Sequence, residues 1–505
     1  MANVLTQLRL GNAVTGEGAL WIIYDGDPSG INSAPRGSLG TNTNTGELFY
    51  NADGGTTWTP WGSGGGVALG TLNFDAFSRL RVSNPVTLTD TKLTIDEQPL
   101  TWSERVVDNT GGGYGGGGAG SLYVQDDALK ILQTGTASGD LVVRQYKFFA
   151  NYEPGKGQLC FATGRIAPGG LKADVRRRIG FFDADDGFFL EASGTTINFV
   201  RRSSSTSPTV VTPQANWSVD PMDGTGPSGI NLDFTKEQIL YCDFEWLGVG
   251  TARLGFDVGG ELYWAHSFEQ ANIGTSVYMQ TGSVPIRYEI ENLGVVTGPN
   301  QLWAHCGTII SEGGVDPQSI NFSADNDWTH RNVGTAWEPL LSIRLQDPSG
   351  AAANSRERLS AKANVLPRSL SVHSITTNSN VLWRAVLNPK WTVAPAAWTK
   401  VKGSVVEYSV SATATVNAAP EGVVLAAGYF TAGTRGGSGS GDFANAIRLG
   451  STYLGGKTAP VYGTQQLGTY VTGAAFSGRD IIVIVAKAQT GTANLTAQIQ
   501  WRELL

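Results

Sequence analysis

Residues 239–246 read ILYCDFEW, residues 251–258 read TARLGFDV, and residues 285–291 read PIRYEIE. In the first, Leu240, Cys242, Phe244 and Trp246 alternate with Tyr241, Asp243 and Glu245. In the second, Ala252, Leu254, Phe256 and Val258 alternate with Thr251, Arg253 and Asp257. In the third, Ile286, Tyr288 and Ile290 alternate with Arg287, Glu289 and Glu291. Successive side chains on a strand point to opposite faces, so this rhythm predicts half-buried strands. Several such strands in antiparallel order, one face dry and one wet, make a sandwich.

The same reading extends outward. LVVRQYKFFA (Leu141–Ala150) and GQLCFAT (Gly157–Thr163) read as strands, and RRIGFF and GFFLEA flank the turn Asp183-Ala184-Asp185-Asp186-Gly187, which predicts a hairpin. Residues 141–315 are therefore expected to form a lectin-like β-sandwich. Beyond 316 the alternation returns from Val406 to Val416 and from Leu495 to Arg502, while IIVIVA (Ile481–Ala486) reads as buried on both faces. A second, C-terminal sandwich is expected over 316–505. Within it, SRERLSAKANVL (Ser355–Leu366) is the best helix candidate, ended by Pro367, and Thr431–Phe443 reads as a long flexible loop.

At the other end, residues 1–66 hold short β-prone runs between Gly, Asp and Asn turns: LWIIYDGDP (Leu20–Pro28), GSLG (Gly37–Gly40), GELFYN (Gly46–Asn51) and DGGTTW (Asp53–Trp58). This module closes on the joint WGSGGG (Trp61–Gly66) and is too small for a substantial core, so it is expected to anchor on other chains or on copies of itself. Residues 67–140 read as a connecting segment with a Gly-rich loop, Gly111–Gly118. That loop lacks the Lys-Ser/Thr of a phosphate-cradling motif. The expected class is all-β and multi-domain: antiparallel sandwiches of jelly-roll or lectin-like type behind a small N-terminal β-module.

Composition narrows the function. The 505 residues include 66 Gly, about twice ordinary usage, and only 16% charged residues. Aromatics at 10%, with 14 Trp, supply the apolar mass of a folded chain. A net charge of −7 argues against a general nucleic-acid binder. The three cysteines, Cys160, Cys242 and Cys306, cannot all pair and show no C-x-x-C spacing. A disulfide scaffold and a Cys-type zinc site are both disfavoured, and assembly in a reducing cytoplasm fits. No apolar run is long enough to span a bilayer, and no signal peptide or membrane insertion is expected.

Six stretches carry a resemblance: LGTLNFDAFSRLRVSNPVTL (Leu69–Leu88), DADDGFF (Asp183–Phe189), DGTGPSGINLDFTKEQ (Asp223–Gln238), EWLGVGTARLGFDVGG (Glu245–Gly260), VPIRYEIEN (Val284–Asn292) and IISEGG (Ile309–Gly314). In this order and spacing, over residues 67–315, the chain resembles a family of structural virion proteins of tailed bacteriophages, especially aquatic and cyanobacterial ones. The N-terminal GSLG, GELFYN and DGGTTW runs separately resemble a short module of phage fibre and head-decoration proteins. The resemblance implies a virion component and supplies no catalytic residues. The expectation drawn from it is a homotrimeric tail fibre or spike whose sandwiches meet a host-surface glycan, its N-terminal module contacting other virion proteins. A capsid decoration protein and a glycan-depolymerising spike enzyme are the alternatives.

The candidate chemistry is thin. Asp243 and Glu245, two apart on one strand face, would sit about 6.5–7 Å apart, within the range of glycosidase carboxylate pairs. A solvated strand face writes the same letters, and Glu289 with Glu291 repeats the spacing, so no catalytic residue is assigned. Asp183, Asp185 and Asp186 in a Gly-closed turn suit a divalent ion, yet they are also ordinary turn chemistry. No metal site and no cofactor is assigned. Of the four histidines, His266, on the Leu262, Trp264 and Phe268 face, reads as a hydrogen-bonded core or interface residue. His305 and Cys306 are adjacent and so face opposite ways. Trp58, Trp61, Trp217, Trp337, Trp391 and Trp398 lie near turns and are candidates for a sugar platform, as they are for core or subunit contacts.

Overall fold

The computed structural model describes residues 3–10, 19–25, 33–34, 38–42, 48–51, 55–60, 84–93, 101–111, 118–124, 128–315, 319–326, 330–346, 362–375, 379–417, 422–432, 437–443, 449, 470–471 and 480–504. The chain divides into two compact units, Met1–Asn73 and Phe74–Leu505. Among the described residues the architecture is β throughout, the one helical element being a single 3₁₀ turn at Gln214–Asn216.

In the first unit, Asn3–Leu10, Ala19–Asp25, Leu39–Asn42, Leu48–Asn51 and Trp58–Pro60 form one sheet in chain order. The pairs are antiparallel except for the parallel second and third strands. Ala34, Phe49 and Trp58 make a small buried cluster. The joint Trp61–Gly66 lies outside the described residues, as does most of the Gly111–Gly118 run.

The second unit opens with a two-sheet sandwich. One sheet runs Val210–Pro213, Thr196–Arg202, Gly187–Ser193, Val175–Phe182, Ile286–Asn292, Leu141–Tyr146, Trp102–Val107. The other runs Glu261–Phe268, Ala252–Val258, Gln238–Phe244, Gln158–Arg165, Asn300–Ser311, Leu129–Thr134, Gly120–Val124, with Val86–Thr91 also paired to Asn300–Ser311. Four described strands of the stretch read as a connecting segment, Val86–Thr91, Trp102–Val107, Gly120–Val124 and Leu129–Thr134, pair into these two sheets. Between the sheets lies one aromatic core, including Trp102, Phe181, Phe188, Phe199, Phe244, Phe256 and Tyr288. The expected hairpin forms in register, with Phe182 opposite Gly187, whose φ of 135° suits glycine alone.

The C-terminal part carries two larger sheets. Ile320–Asp325, Ala493–Leu504, Asn364–Ser374 and Gly437–Asp442 lie in that order in one, with Arg331–Val333 also paired to Ala493–Leu504. The other runs Thr399–Lys400, Val406–Ser409, Glu338–Leu345, Ile481–Ala488, Asn380–Leu387, Val423–Thr431. Ile482, Ile484 and Ala486 pack into the core between these sheets, while Ile481, Val483 and Val485 join Trp337 and Trp391 in a cluster on the opposite side. That accounts for the uninterrupted apolar run.

Three expectations change here. Asn364–Leu366, read as the end of a helix, instead opens the strand Asn364–Ser374, and Pro367 sits at an irregularity between Pro367 and Ser369, where a missing N–H is tolerated. Residues 355–361 of that candidate lie outside the described residues. The run Val406–Val416 is two short strands, Val406–Ser409 and Thr415–Val416. Finally, GSGSGD (Gly437–Asp442) is a strand and not a loop. Its physical reason is Trp383, which is 3% exposed: a Cβ on Gly439 or Gly441 would come within 2.6 or 2.7 Å of the indole, and one on Gly428 within 2.5 Å. The glycines form the slot that a large ring fills.

Candidate functional site

Several charged residues read from alternation as the wet face of the first sandwich are buried, Asp243, Glu245, Arg253, Arg287 and Glu289 among them. On the outer face of its seven-stranded sheet, Arg178 stands opposite both Glu191 and Glu289, and Arg176 opposite Glu291. Arg178 Nε donates to Glu191 at 2.8 Å, and its Nη1 donates to Glu289 at 2.5 Å. Arg287 also donates to Glu289, through Nε at 3.0 Å, and reaches Gln145 at 2.9 Å. Glu289 is 5% exposed and Arg287 8%. Burial alone would raise the Glu289 pKa, but Arg287, Arg178 and Arg202 outweigh it and hold the carboxyl well below the usual carboxylate range. A group so firmly ionised cannot serve as a general acid. The Glu289 and Glu291 spacing is a cross-strand charge ladder.

Asp243 and Glu245 are likewise buried, at 1% and 0% exposure. The strand ends at Phe244, so Glu245 belongs to the turn that follows, where Leu247 has φ of 35°. Asp243 pairs with its cross-strand neighbour Arg253, Nη2 to Oδ2 at 2.5 Å, and the Arg253 guanidinium lies 3.9 Å over the Trp264 ring. The face expected to be wet is therefore buried here, with Asp243 matched to Arg253.

The acidic turn holds a cation supplied by the chain itself. Lys362 Nζ lies 2.7 Å from Asp183 Oδ2, 3.6 Å from Asp185 Oδ2 and 3.5 Å from Asp186 Oδ2. Burial opposes the ammonium charge, but Asp183, Asp186 and Asp185 hold the Lys362 pKa above its ordinary value. This contact joins the first sandwich to the C-terminal sheets. Two more do the same: Asn364 Nδ2 donates to the Phe149 carbonyl at 2.8 Å, and Lys147 Nζ lies 3.6 Å from Asp480, both side chains nearly inaccessible. Hydrogen-bonded ions at a buried junction fix one orientation.

His266 is a core residue. Its Nδ1 accepts from the Ser218 backbone N–H at 3.1 Å, and its ring meets Phe268 edge-on at 4.5 Å. It shares a face with Phe268 but not with Trp264, because a register shift at Leu254/Gly255 turns Trp264 toward Arg253. Burial lowers the His266 pKa from 6.5 to about 4. The unfolded chain binds a proton there that the folded chain refuses, so stability is full above pH 6.5 and falls as pH drops toward 4. We expect denaturation midpoints to decline over that window, by an amount equivalent to about 2–3 kcal/mol, and His266→Gln to remove that part of the slope in urea titrations. Cys160 and Cys242 face each other across neighbouring strands as buried free thiols, with burial pushing both pKa values up. Their thiols are structural. His305 is drawn to Glu237 at 3.1 Å.

Of the tryptophans named from sequence, Trp58, Trp217, Trp337 and Trp391 are buried, and Trp398 is half-buried under the Arg344 guanidinium at 3.9 Å. Trp61 lies outside the described residues. None of those described forms an open sugar platform. Among the described residues, a groove of about 620 Å³ lies on the C-terminal sheet that holds Ala493–Leu504. Register brings Ser323, Gln500, Ser369 and Asp442 into one row across four strands. Ser369 Oγ donates to Gln500 Oε1 at 3.2 Å, and Arg368 and Asn321 extend the polar rim. Phe322, Phe443 and Trp501 alternate to the opposite face of these strands and pack beneath the row as core, Trp501 and Phe443 at 0% and 5% exposure, with Phe322 and Trp501 stacked at 6.2 Å. A row of hydroxyl, amide and charged groups suits a polyhydroxylated ligand. Alternation in LTAQIQWR marked Gln500 as outward, but nothing in the sequence marked its neighbours in the row.

No protein-family model matches the chain, and no curated protein matches its sequence. Solved structures of similar shape span 44–45% of the chain. They include the Emp47p carbohydrate recognition domain (12% identity, 95% of that chain, TM-score 0.28). A legume lectin-like domain from Entamoeba histolytica is similar at 8% identity (97% of that chain, TM-score 0.26). An endo-1,3-beta-glucanase from Streptomyces sioyaensis is similar at 9% identity (95% of that chain, TM-score 0.27).

Proposed function

We propose that this chain is a structural virion protein of a tailed phage, a trimeric fibre or spike that holds a host-surface glycan without cleaving it. The observation that carries the reading is the fate of the carboxylates. Asp243, Glu289, Glu291 and the Asp183 turn are each matched to an Arg or Lys within the fold. The C-terminal groove has a single carboxylate, Asp442, in its lining. Glycoside hydrolysis needs a pair, one of them able to hold a proton. A groove with hydrogen bonders and one acid is built to bind. The buried ionic junction supports the mechanical half of the reading, since a projecting attachment protein needs a stiff body. The virion setting rests on the six motif stretches and the N-terminal module.

The test has two arms. Antibody raised against the chain should label the tail of purified particles; label on tailless heads would favour a decoration protein, and no label on particles would defeat the virion reading. In glycan binding, Gln500→Ala combined with Asp442→Ala should weaken affinity about tenfold or more, the scale of one or two lost hydrogen bonds to a charged or amide group. Undiminished binding in the double variant would remove the groove from the account.

A further inference from the structure

We infer that Lys362 and Asp183 are set to form an intramolecular isopeptide bond, a covalent weld between the first sandwich and the C-terminal sheets. The geometry is that of an amide-forming site. Lys362, Asp183 and Asp186 are 8%, 6% and 0% exposed, and the Phe149 ring lies 5.8 Å from Nζ. Nζ sits 2.7 Å from Asp183 Oδ2. The other carboxyl oxygen, Oδ1, accepts the backbone N–H groups of both Asp185 and Asp186 at 2.8 Å. Two fixed donors on one oxygen polarise the carbonyl and stabilise the oxyanion that nucleophilic attack creates. Asp186 Oδ2 lies 3.5 Å from the same nitrogen, and its Oδ1 is anchored by the N–H groups of Ser204 and Gln280.

The step balances without any co-reactant. Asp186 takes one proton from the Lys362 ammonium and relays it to Asp183 Oδ2, and the freed Nζ lone pair attacks Cγ of the now neutral carboxyl. The tetrahedral intermediate carries its negative charge on Oδ1. Collapse breaks the Cγ–Oδ2 bond, and Oδ2 leaves as water with two protons that came from Nζ, one of them relayed through Asp186. An ammonium and a carboxylate become a neutral amide and one water, and Asp186 returns to its starting state. Burial raises the Asp186 pKa against the opposing effect of Lys362, which suits a group that must hold a proton briefly. Holding amine and carboxyl together replaces a bimolecular encounter, and exchanging two buried charges for an amide removes their desolvation cost.

Intact-mass spectrometry of the full chain decides it. Wild type should be lighter than its sequence by one water, and a protease digest should contain a branched peptide joining the Asp183 and Lys362 segments. Lys362→Arg keeps the charge and should retain the full mass. Asp186→Asn should form the bond at least tenfold more slowly. Full-mass wild type after prolonged incubation at neutral pH would overturn the inference. So would water loss without the branched peptide, the result expected of succinimide formation at Asp186-Gly187. Should Asp186→Asn fail to fold, the wild-type mass and digest still decide.

Discussion

Replacing Glu289 with alanine is expected to destabilise the first sandwich by about 3–5 kcal/mol, the cost of stranding a buried charge partner. The carboxylate is the meeting point of Arg178 and Arg287, and Arg202 lies near enough to contribute. Without it, the guanidiniums face one another in a site whose charges are largely hidden from water. Glu289→Gln should recover only part of the loss, because an amide accepts hydrogen bonds but does not offset charge. Denaturant midpoints at pH 7 measure this. The pH dependence has a definite sign. A carboxyl held below its ordinary value of 4.5 contributes stability that is present above that pH and fades as pH falls below it. The Glu289→Ala variant should therefore lose less stability than wild type on acidification below pH 4.5. A variant that unfolds at the wild-type midpoint would show that the charge ladder carries no stability.

Trp501→Ala should cost a similar amount, about 3–5 kcal/mol, through the cavity left by a fully buried indole. The ring packs in the core beside Phe322, and its Nε1 donates to Glu503 at 2.9 Å. Glu503 in turn accepts from the Val405 N–H, so the loss reaches the neighbouring sheet. Trp501→Phe keeps most of the packed volume and should restore most of the stability. Thermal unfolding of the two variants beside wild type measures this.

The two-residue rhythm gave the strands and the inward set: Leu240, Cys242, Phe244, Leu254, Phe256, Ile286 and Tyr288 all lie in the first core. The outward set was legible as polar but not as buried. Alternation reports which face a residue takes, whereas exposure depends on what stands across the strand. Arg178 finds Glu289 more than a hundred residues away through strand pairing alone. The same limit hid Lys362, whose partners lie in another sandwich. Gly437–Asp442 misled because glycine usually marks freedom, while here it marks the space claimed by Trp383. His266 reads as a core residue beside Phe268 and is one, but Trp264 leaves that face, because an irregularity of register cannot be counted from a period of two.

The most direct measurement of the central claim is the fate of a fluorescently labelled host-surface polysaccharide incubated with the purified full chain. The polymer is expected to co-elute with the protein at unchanged chain length, and Gln500→Ala with Asp442→Ala to release it. Progressive shortening of the polymer, abolished by Asp243→Asn or Glu289→Gln in folded protein, would contradict the assignment of those carboxylates to structure.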